Sequence, residues 1–262
     1  MSTIMRVFSV CGISGSGKTT TIENIIKELV ARGYRVGSVK DIHFQDFAID
    51  PDPKTNTNRH KAAGATLVGA RGLFETDMLY PTKLPMEQVL DFYEKDYDWV
   101  VLEGVEDIAI PTIVTACEAA DLEEKWSHMA FALSGRISAY MSEYQGKPSI
   151  DAVADAQKLV DLIEAKVYER LPDFPPQCCK ACGMTCQELA AAIIAGDRKR
   201  SDCVADQGIE LYCNEKRIMM VPFVQQILKN ALLGVVSELE GYEKGGKIEI
   251  RLSDNLFQIQ EE

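Results

Sequence analysis

The segment Gly12-Ile-Ser-Gly-Ser-Gly-Lys18-Thr19 constrains this chain more than any other stretch. It fits G-x-x-x-x-G-K-[ST] and stands between an apolar run, Arg6–Cys11, and a helical one, Lys18–Ala31. In the second run Ile22, Ile25, Ile26, Leu29 and Val30 recur with the period of an amphipathic helix. A strand, a glycine turn and a helix in that order gather backbone N–H groups and the positive helix end around phosphate oxygens. Gly12, Ser14, Gly15, Ser16, Gly17, Lys18, Thr19 and Thr20 are therefore expected to bind nucleotide phosphates. Lys18 would neutralise the β- and γ-phosphates, and the Thr19 hydroxyl would ligate Mg²⁺. A second acid at the end of a neighbouring strand should complete that metal site. Glu103, just past the apolar run Trp99–Leu102, is one candidate, and Asp41, ending the second strand, is the other. Lys18, Glu103 and Asp41 form the candidate catalytic set; a solvated strand-end carboxylate is the plainer reading of Glu103. No N-K-x-D motif is present, so the sequence does not spell out the base. Ile13 and Ser14 stand where the dimer-docking ATPases with a deviant loop carry a lysine.

Further strands are expected at Tyr34–Lys40, Leu73–Tyr80, Pro111–Ala116 and Met129–Leu133, with helices at His60–Ala70, Met86–Tyr93 and Asp151–Tyr168. A long polar loop, 41–58, carries Pro51 and Pro53. Strands alternating with helices imply an α/β fold of the P-loop NTPase type, a mostly parallel sheet with helices on both faces. Composition changes at Leu171-Pro-Asp-Phe-Pro-Pro176. The expected organisation is a nucleotide-binding domain over 1–170 and a cysteine-rich domain over 171–262. The latter ends in a tail with a hairpin (209–220, turning at Asn214), a helix (222–240) and a strand (247–252).

Lys and Arg number 28 against 40 Asp and Glu, a net charge of −12, which argues against non-specific binding to nucleic acid or anionic membrane. No apolar stretch approaches membrane-span length, and the first residues run straight into the glycine turn without a signal-peptide core. A cytoplasmic location is expected. In that setting eight cysteines point to metal or redox chemistry more than to disulfides. Cys179-x₂-Cys182-x₃-Cys186-x₁₆-Cys203 offers four thiolates, and Cys186 opens an alanine-rich helix whose N–H groups favour negative charge. A [4Fe–4S] cluster is the leading reading. Structural zinc is the alternative, although zinc ribbons usually pair two C-x₂-C knuckles. Cys178 and Cys213 are spare: either could serve as an alternative ligand, but each reads first as a small buried hydrophobe, as do Cys11 and Cys117. Arg198-Lys-Arg200 reads as a solvated face or a dock for an acidic partner, and His43 and His60 as loop or phosphate contacts ahead of metal ligands.

The first 168 residues or so resemble the molybdopterin-guanine dinucleotide biosynthesis protein B (MobB) family. Besides Gly12–Thr20, the resemblance rests on Gly37-Ser-Val-Lys-Asp-Ile-His43, Phe47-Ala-Ile-Asp50, Arg59-His60-Lys-Ala-Ala-Gly-Ala65 and Leu102-Glu103-Gly104. It implies a dimeric, slowly hydrolysing GTP-binding protein that assists nucleotide attachment to the molybdenum or tungsten cofactor. It also places Glu103 near the metal and Asp50 in a mobile loop. Asp41 departs from the family by replacing the first histidine of a pair, and Lys54–Asn58 departs from its Gly-Lys-Asp-Ser segment. The cysteine segment resembles the four-cysteine [4Fe–4S] domain of corrinoid iron–sulfur proteins, which usually leave four residues before the third cysteine where this chain leaves three. A nucleotide-gated metallochaperone or electron-transfer module serving a client metalloenzyme is the alternative function.

Overall fold

Val7, Phe8, Val10, Val100, Val101, Leu102, Ile113 and Val114 are almost wholly buried, the pattern of parallel strands covered on both faces. The computed structural model describes residues 5–42, 47–172, 174, 179–204, 209, 211–213, 216–218, 220–246 and 248–250. Its elements, in chain order, are β1 (Arg6–Gly12), α1 (Lys18–Ala31), β2 (Val36–Lys40), α2 (Asn56–Ala62), β3 (Val68–Arg71), β4 (Thr76–Leu79) and α3 (Met86–Asp91). There follow β5 (Trp99–Glu103), β6 (Thr112–Thr115), α4 (Ala119–Lys125), β7 (Ala130–Ser134), β8 (Glu143–Tyr144), β9 (Lys147–Pro148) and α5 (Ala156–Lys166). The C-terminal part adds α6 (Cys186–Ala195), β10 (Leu211–Cys213), β11 (Lys216–Ile218) and α7 (Pro222–Val236).

The central sheet has five strands in the order β2-β5-β1-β6-β7, and every pair in it is parallel. The α/β class read from the sequence is the class observed. The chain fills one side of β1 with β2 and β5, then crosses β1 to build β6 and β7 on the other. An open parallel sheet binds ligands at such a reversal, beyond the carboxyl ends of the strands. Register brings those ends level: Lys40 pairs with Glu103, Val10 with Glu103, Gly12 with Thr115, and Thr115 with Ser134.

One face of the sheet is covered by α1 and α5, whose Ile22, Ile25, Leu29, Leu159, Val160 and Ile163 join Phe8, Trp99 and Phe131 in the largest core cluster. Trp99 is met edge-on by Phe8 and Tyr34, with ring centres 6.1 and 6.0 Å away. Arg32 ties the two helices together through Glu28, Asp161 and Glu164 at 2.7–2.9 Å. Leu159 has no exposed surface, so Leu159→Ala should cost about 3 kcal/mol of unfolding free energy by chemical denaturation. Leu189, Ala190 and Ile194 of α6 sit in the same cluster, and Arg200 donates to the carbonyls of Glu169 and Arg170 at 2.9 and 3.3 Å. The cysteine segment is thereby seated on the core of the sheet, and Arg200 is not a purely solvated charge.

Four elements differ from the sequence reading. The helix expected at 60–70 spans Asn56–Ala62 instead. Gly64 turns the chain at φ 102°, and Val68–Arg71 then pairs antiparallel with Thr76–Leu79. The helix expected from Asp151 starts at Ala156, because the Asp155 carboxylate accepts from Lys158 N at 3.2 Å and caps it. Helix α4 has no counterpart in the expectations. Residues 248–250 form no strand, and the remainder of the strand expected there lies outside the described residues, as do the Asn214 turn, His43 and Cys178.

Candidate functional site

The turn between β1 and α1 is closed by glycines at positions where a side chain would collide with backbone. A Cβ on Gly12 (φ 152°) would stand 2.1 Å from the Thr115 carbonyl oxygen. Gly17 caps α1 in the left-handed region at φ 101°, and its Cβ would come 3.2 Å from Gly135 Cα. Ser16 is wholly buried; its hydroxyl meets Thr115 Oγ1 at 2.7 Å and donates to Ile13 O at 2.8 Å. The Arg136 N–H donates to Ser16 O at 3.1 Å. The ends of β6 and β7 therefore buttress the loop from behind, leaving its open side toward a cleft of about 1190 Å³.

Lys18 reaches back over this loop, donating from Nζ to the carbonyls of Gly12 and Ile13 at 2.8 and 2.7 Å. Thr19 Oγ1 donates to Glu103 Oε1 at 3.0 Å, and Lys40 Nζ meets the same oxygen at 3.0 Å. Of the two candidate acids, Glu103 is the one brought to Thr19. Asp41 lines the same cleft, its N–H donating to Glu103 O at 3.0 Å and its carboxylate paired with Lys83 at 3.5 Å. A hydroxyl and a carboxylate beside a phosphate loop are hard oxygen donors of the kind Mg²⁺ takes, so the residues present fit a metal–nucleotide. Gly12, Ser14, Gly15, Gly17 and Thr20 also line the cleft; Ser16 faces inward and holds the loop's shape. Asp50 accepts from the Thr55 hydroxyl at 2.7 Å and from that of Thr57, and these bonds hold its carboxyl below the usual range.

Four participants escaped the reading of single motifs. Lys40 gave only a strand-end lysine, and Thr115, Gly135 and Arg136 lie about a hundred residues from the loop they support, with no local pattern to mark them. Cys11 is buried as expected, and burial pushes its thiol pKa up. Cys117 is not core: it is partly exposed, with Sγ 3.7 Å from the Gly15 carbonyl. Cys213 is exposed on β10, not buried.

Cys179, Cys182, Cys186 and Cys203 form no disulfide and are of intermediate exposure. Cys186 is the first residue of α6, behind a capping box in which Thr185 and Glu188 exchange side-chain-to-backbone bonds. Cys182 and Cys203 pack against the main core cluster. Among the described residues no three His, Cys, Asp or Glu side chains are grouped to hold a metal. The donor chemistry suits a cluster, but the thiols are not drawn together.

Residues 7–132 match the family model described as MobB, Molybdopterin guanine dinucleotide synthesis protein B. The phosphate-loop part is MobB-like. Similarity in sequence extends further, to a protein of Methanocaldococcus jannaschii named as a candidate molybdopterin-guanine dinucleotide biosynthesis adapter protein. The two are 27% identical over 263 residues, 95% of this chain and 99% of the relative. An alignment of that extent runs through the cysteine segment too. The molybdopterin-guanine dinucleotide biosynthesis adapter protein of Haemophilus influenzae is 29% identical over 119 residues, 44% of this chain and 65% of the relative. Among solved structures, Bacillus subtilis MobB superposes with a TM-score of 0.50 at 25% identity, covering 63% of this chain and 99% of that one. The residues matched to the family model therefore include the cleft wall from Gly12 to Lys125, while its Gly135, Arg136, Ala139, Asp151 and Val153 and the C-terminal cysteines lie beyond them. No helix among the described residues is long and apolar enough to cross a membrane.

Proposed function

We propose that the chain is a Mg²⁺-dependent GTP-binding adapter of molybdopterin guanine dinucleotide assembly, with slow GTP hydrolysis. The observation that carries this reading is the contact of Thr19, Glu103 and Lys40 beneath the phosphate loop of a MobB-like domain. In it Lys18 neutralises the terminal phosphates, Thr19 and Glu103 hold Mg²⁺, and Asp41 stands at the rim to orient water. Slow turnover is in keeping with both acids being engaged, Glu103 by Thr19 and Lys40, Asp41 by Lys83. Its partners are the other proteins of molybdenum- or tungsten-cofactor assembly, its working form is a cytoplasmic homodimer, and nucleic acid and membrane are not among its ligands.

Calorimetric titration with GTP tests this reading. Binding should require Mg²⁺, and Glu103→Gln should lower the Mg²⁺ dependence and the affinity together, by roughly tenfold for one lost charged ligand. Metal-independent binding, equal in both proteins, would rule the assignment out.

The Cys179–Cys203 segment supports a second element, a [4Fe–4S] cluster seated beside the N-terminus of α6, with structural zinc as the competing occupant. Attachment of α6 to the core that also holds α1 favours communication between cluster and nucleotide. That is the arrangement a nucleotide-gated metallochaperone or electron-transfer module would need.

A further inference from the structure

The cleft continues past the phosphate loop on the β7 side. With Thr19 and Glu103 on the β5 flank of β1, terminal phosphates and metal occupy that flank, and the nucleoside must leave across the other. There the wall is formed by Gly135, Arg136, Ala139, Asp151 and Val153. The segment carrying Asp151 is held to the sheet: Ser149 bridges Leu133, and Ile150 N donates to Leu133 O at 3.0 Å. Ile150 and Ala152 are buried, so alternation turns Asp151 and Val153 outward into the cleft, which explains why Val153 is a valine with 68% of its surface exposed. Asp151 Oδ1 accepts from Val153 N at 2.8 Å, and its carbonyl accepts from Asp155 N at 2.8 Å. These bonds fix the carboxylate, and Oδ2 takes no hydrogen bond from any described residue. Arg136 lies on the same wall, its backbone anchored to Ser16, its guanidinium exposed and in no ion pair with a described residue.

We propose that Asp151 reads the guanine base, with Arg136 and Val153 enclosing the ring. A carboxylate is an acceptor on both oxygens, and guanine presents two adjacent donors, N1–H and the 2-amino group. Adenine offers an acceptor at N1 and nothing at C2, so the same carboxylate repels it. Arg136 supplies a planar cation for the ring face, and Val153 supplies apolar cover. This reader is distant in sequence from the loop and replaces the missing N-K-x-D. The inference rests on the reading of the cleft as a GTP site.

The test is calorimetry of the full chain with GDP, IDP, XDP and ADP in the presence of Mg²⁺. IDP differs from GDP only in lacking the 2-amino group. The parent should bind GDP roughly 10- to 100-fold more tightly than IDP or ADP, the value of a hydrogen bond to a charged group. Asp151→Asn should lose GDP affinity by a similar factor and gain about tenfold for XDP, whose 2-carbonyl accepts from the new amide. Arg136→Ala, at an exposed position, should weaken all purine nucleotides without altering the GDP/IDP ratio. Equal binding of GDP and IDP by the parent overturns the proposal whether or not the Asp151 variant folds, and a folded Asp151→Asn with unchanged selectivity overturns it as well. A parent that binds none of these nucleotides overturns the GTP reading of the cleft and this proposal together; GDP binding without base selectivity overturns this one alone.

Discussion

Lys18→Ala is expected to lower the affinity for GTP and GDP by at least about a hundredfold while leaving the thermal midpoint within a few degrees of the parent. The Lys18 ammonium is held over the phosphate loop by the Gly12 and Ile13 carbonyls, and hydrogen bonds from a charged donor to phosphate contribute about 1.5–3 kcal/mol each. Two such bonds lost together give a change of roughly that size. The fold does not depend on the ammonium. The loop is closed behind Lys18 by Ser16 against Thr115 and by Arg136 N–H on Ser16 O, and glycines allow the approach. Calorimetry gives the affinity, and thermal unfolding monitored by circular dichroism gives the control. A folded variant that binds GTP as the parent does would mean the loop does not hold the phosphates. A variant that fails to unfold cooperatively would instead show that the lysine's bonds to the two carbonyls are structural.

The contrast between this lysine and its neighbours shows what the sequence could reveal. β1 and α1 were legible to within a residue, since apolar period and glycine spacing are local properties. The other four sheet strands were legible as strands: β5, β6 and β7 because parallel strands buried on both faces read as short apolar runs, and the edge strand β2 because it follows the close of α1 at Gly33. Their order was not, since pairing β1 with both β5 and β6 depends on contacts between residues about a hundred positions apart. The same distance hid Thr115, Gly135 and Arg136, each unremarkable in its own segment. Local conflicts account for the rest. Alanines at 62, 63, 65 and 70 carry a helical reading past Gly64, where positive φ follows the end of the helix and lets β3 and β4 form a hairpin. The apolar period carries the last helix back to Asp151, but Ser149 and Ile150 are bonded to Leu133 of β7 and the helix starts only after the Asp155 cap. Cys213 read as a small buried hydrophobe, but it stands exposed on the two-stranded hairpin of β10 and β11.

Purified without oxygen, the full chain is expected to be brown and to carry about four iron and four sulfide per polypeptide. Cys182→Ser should abolish the colour and, if the cluster and the nucleotide site act independently, leave GTP affinity within about twofold; a larger change would favour the nucleotide-gated alternative. The first expectation rests on three thiols within eight residues, Cys179 to Cys186, and on Cys186 at the positive end of α6, where negative charge on sulfide is favoured. The second rests on packing. Leu189, Ala190 and Ile194 bury one face of α6 in the core cluster that also holds residues of α1, α5 and the sheet, and the Thr185–Glu188 capping box satisfies its first N–H groups. The helix therefore has a hold on the sheet that owes nothing to metal, unlike a zinc finger, which folds only when loaded. The four sulfurs themselves are not grouped among the described residues, so cluster assembly must draw them closer together and tighten the segment that carries them. Protection of 179–203 from proteolysis should accordingly rise on iron loading in the parent and stay unchanged in Cys182→Ser. A colourless protein holding one zinc per chain would transfer the site to the zinc reading, with the same four ligands. A protein that holds neither metal after anaerobic iron and sulfide reconstitution would leave these cysteines as thiols packed at the edge of the core.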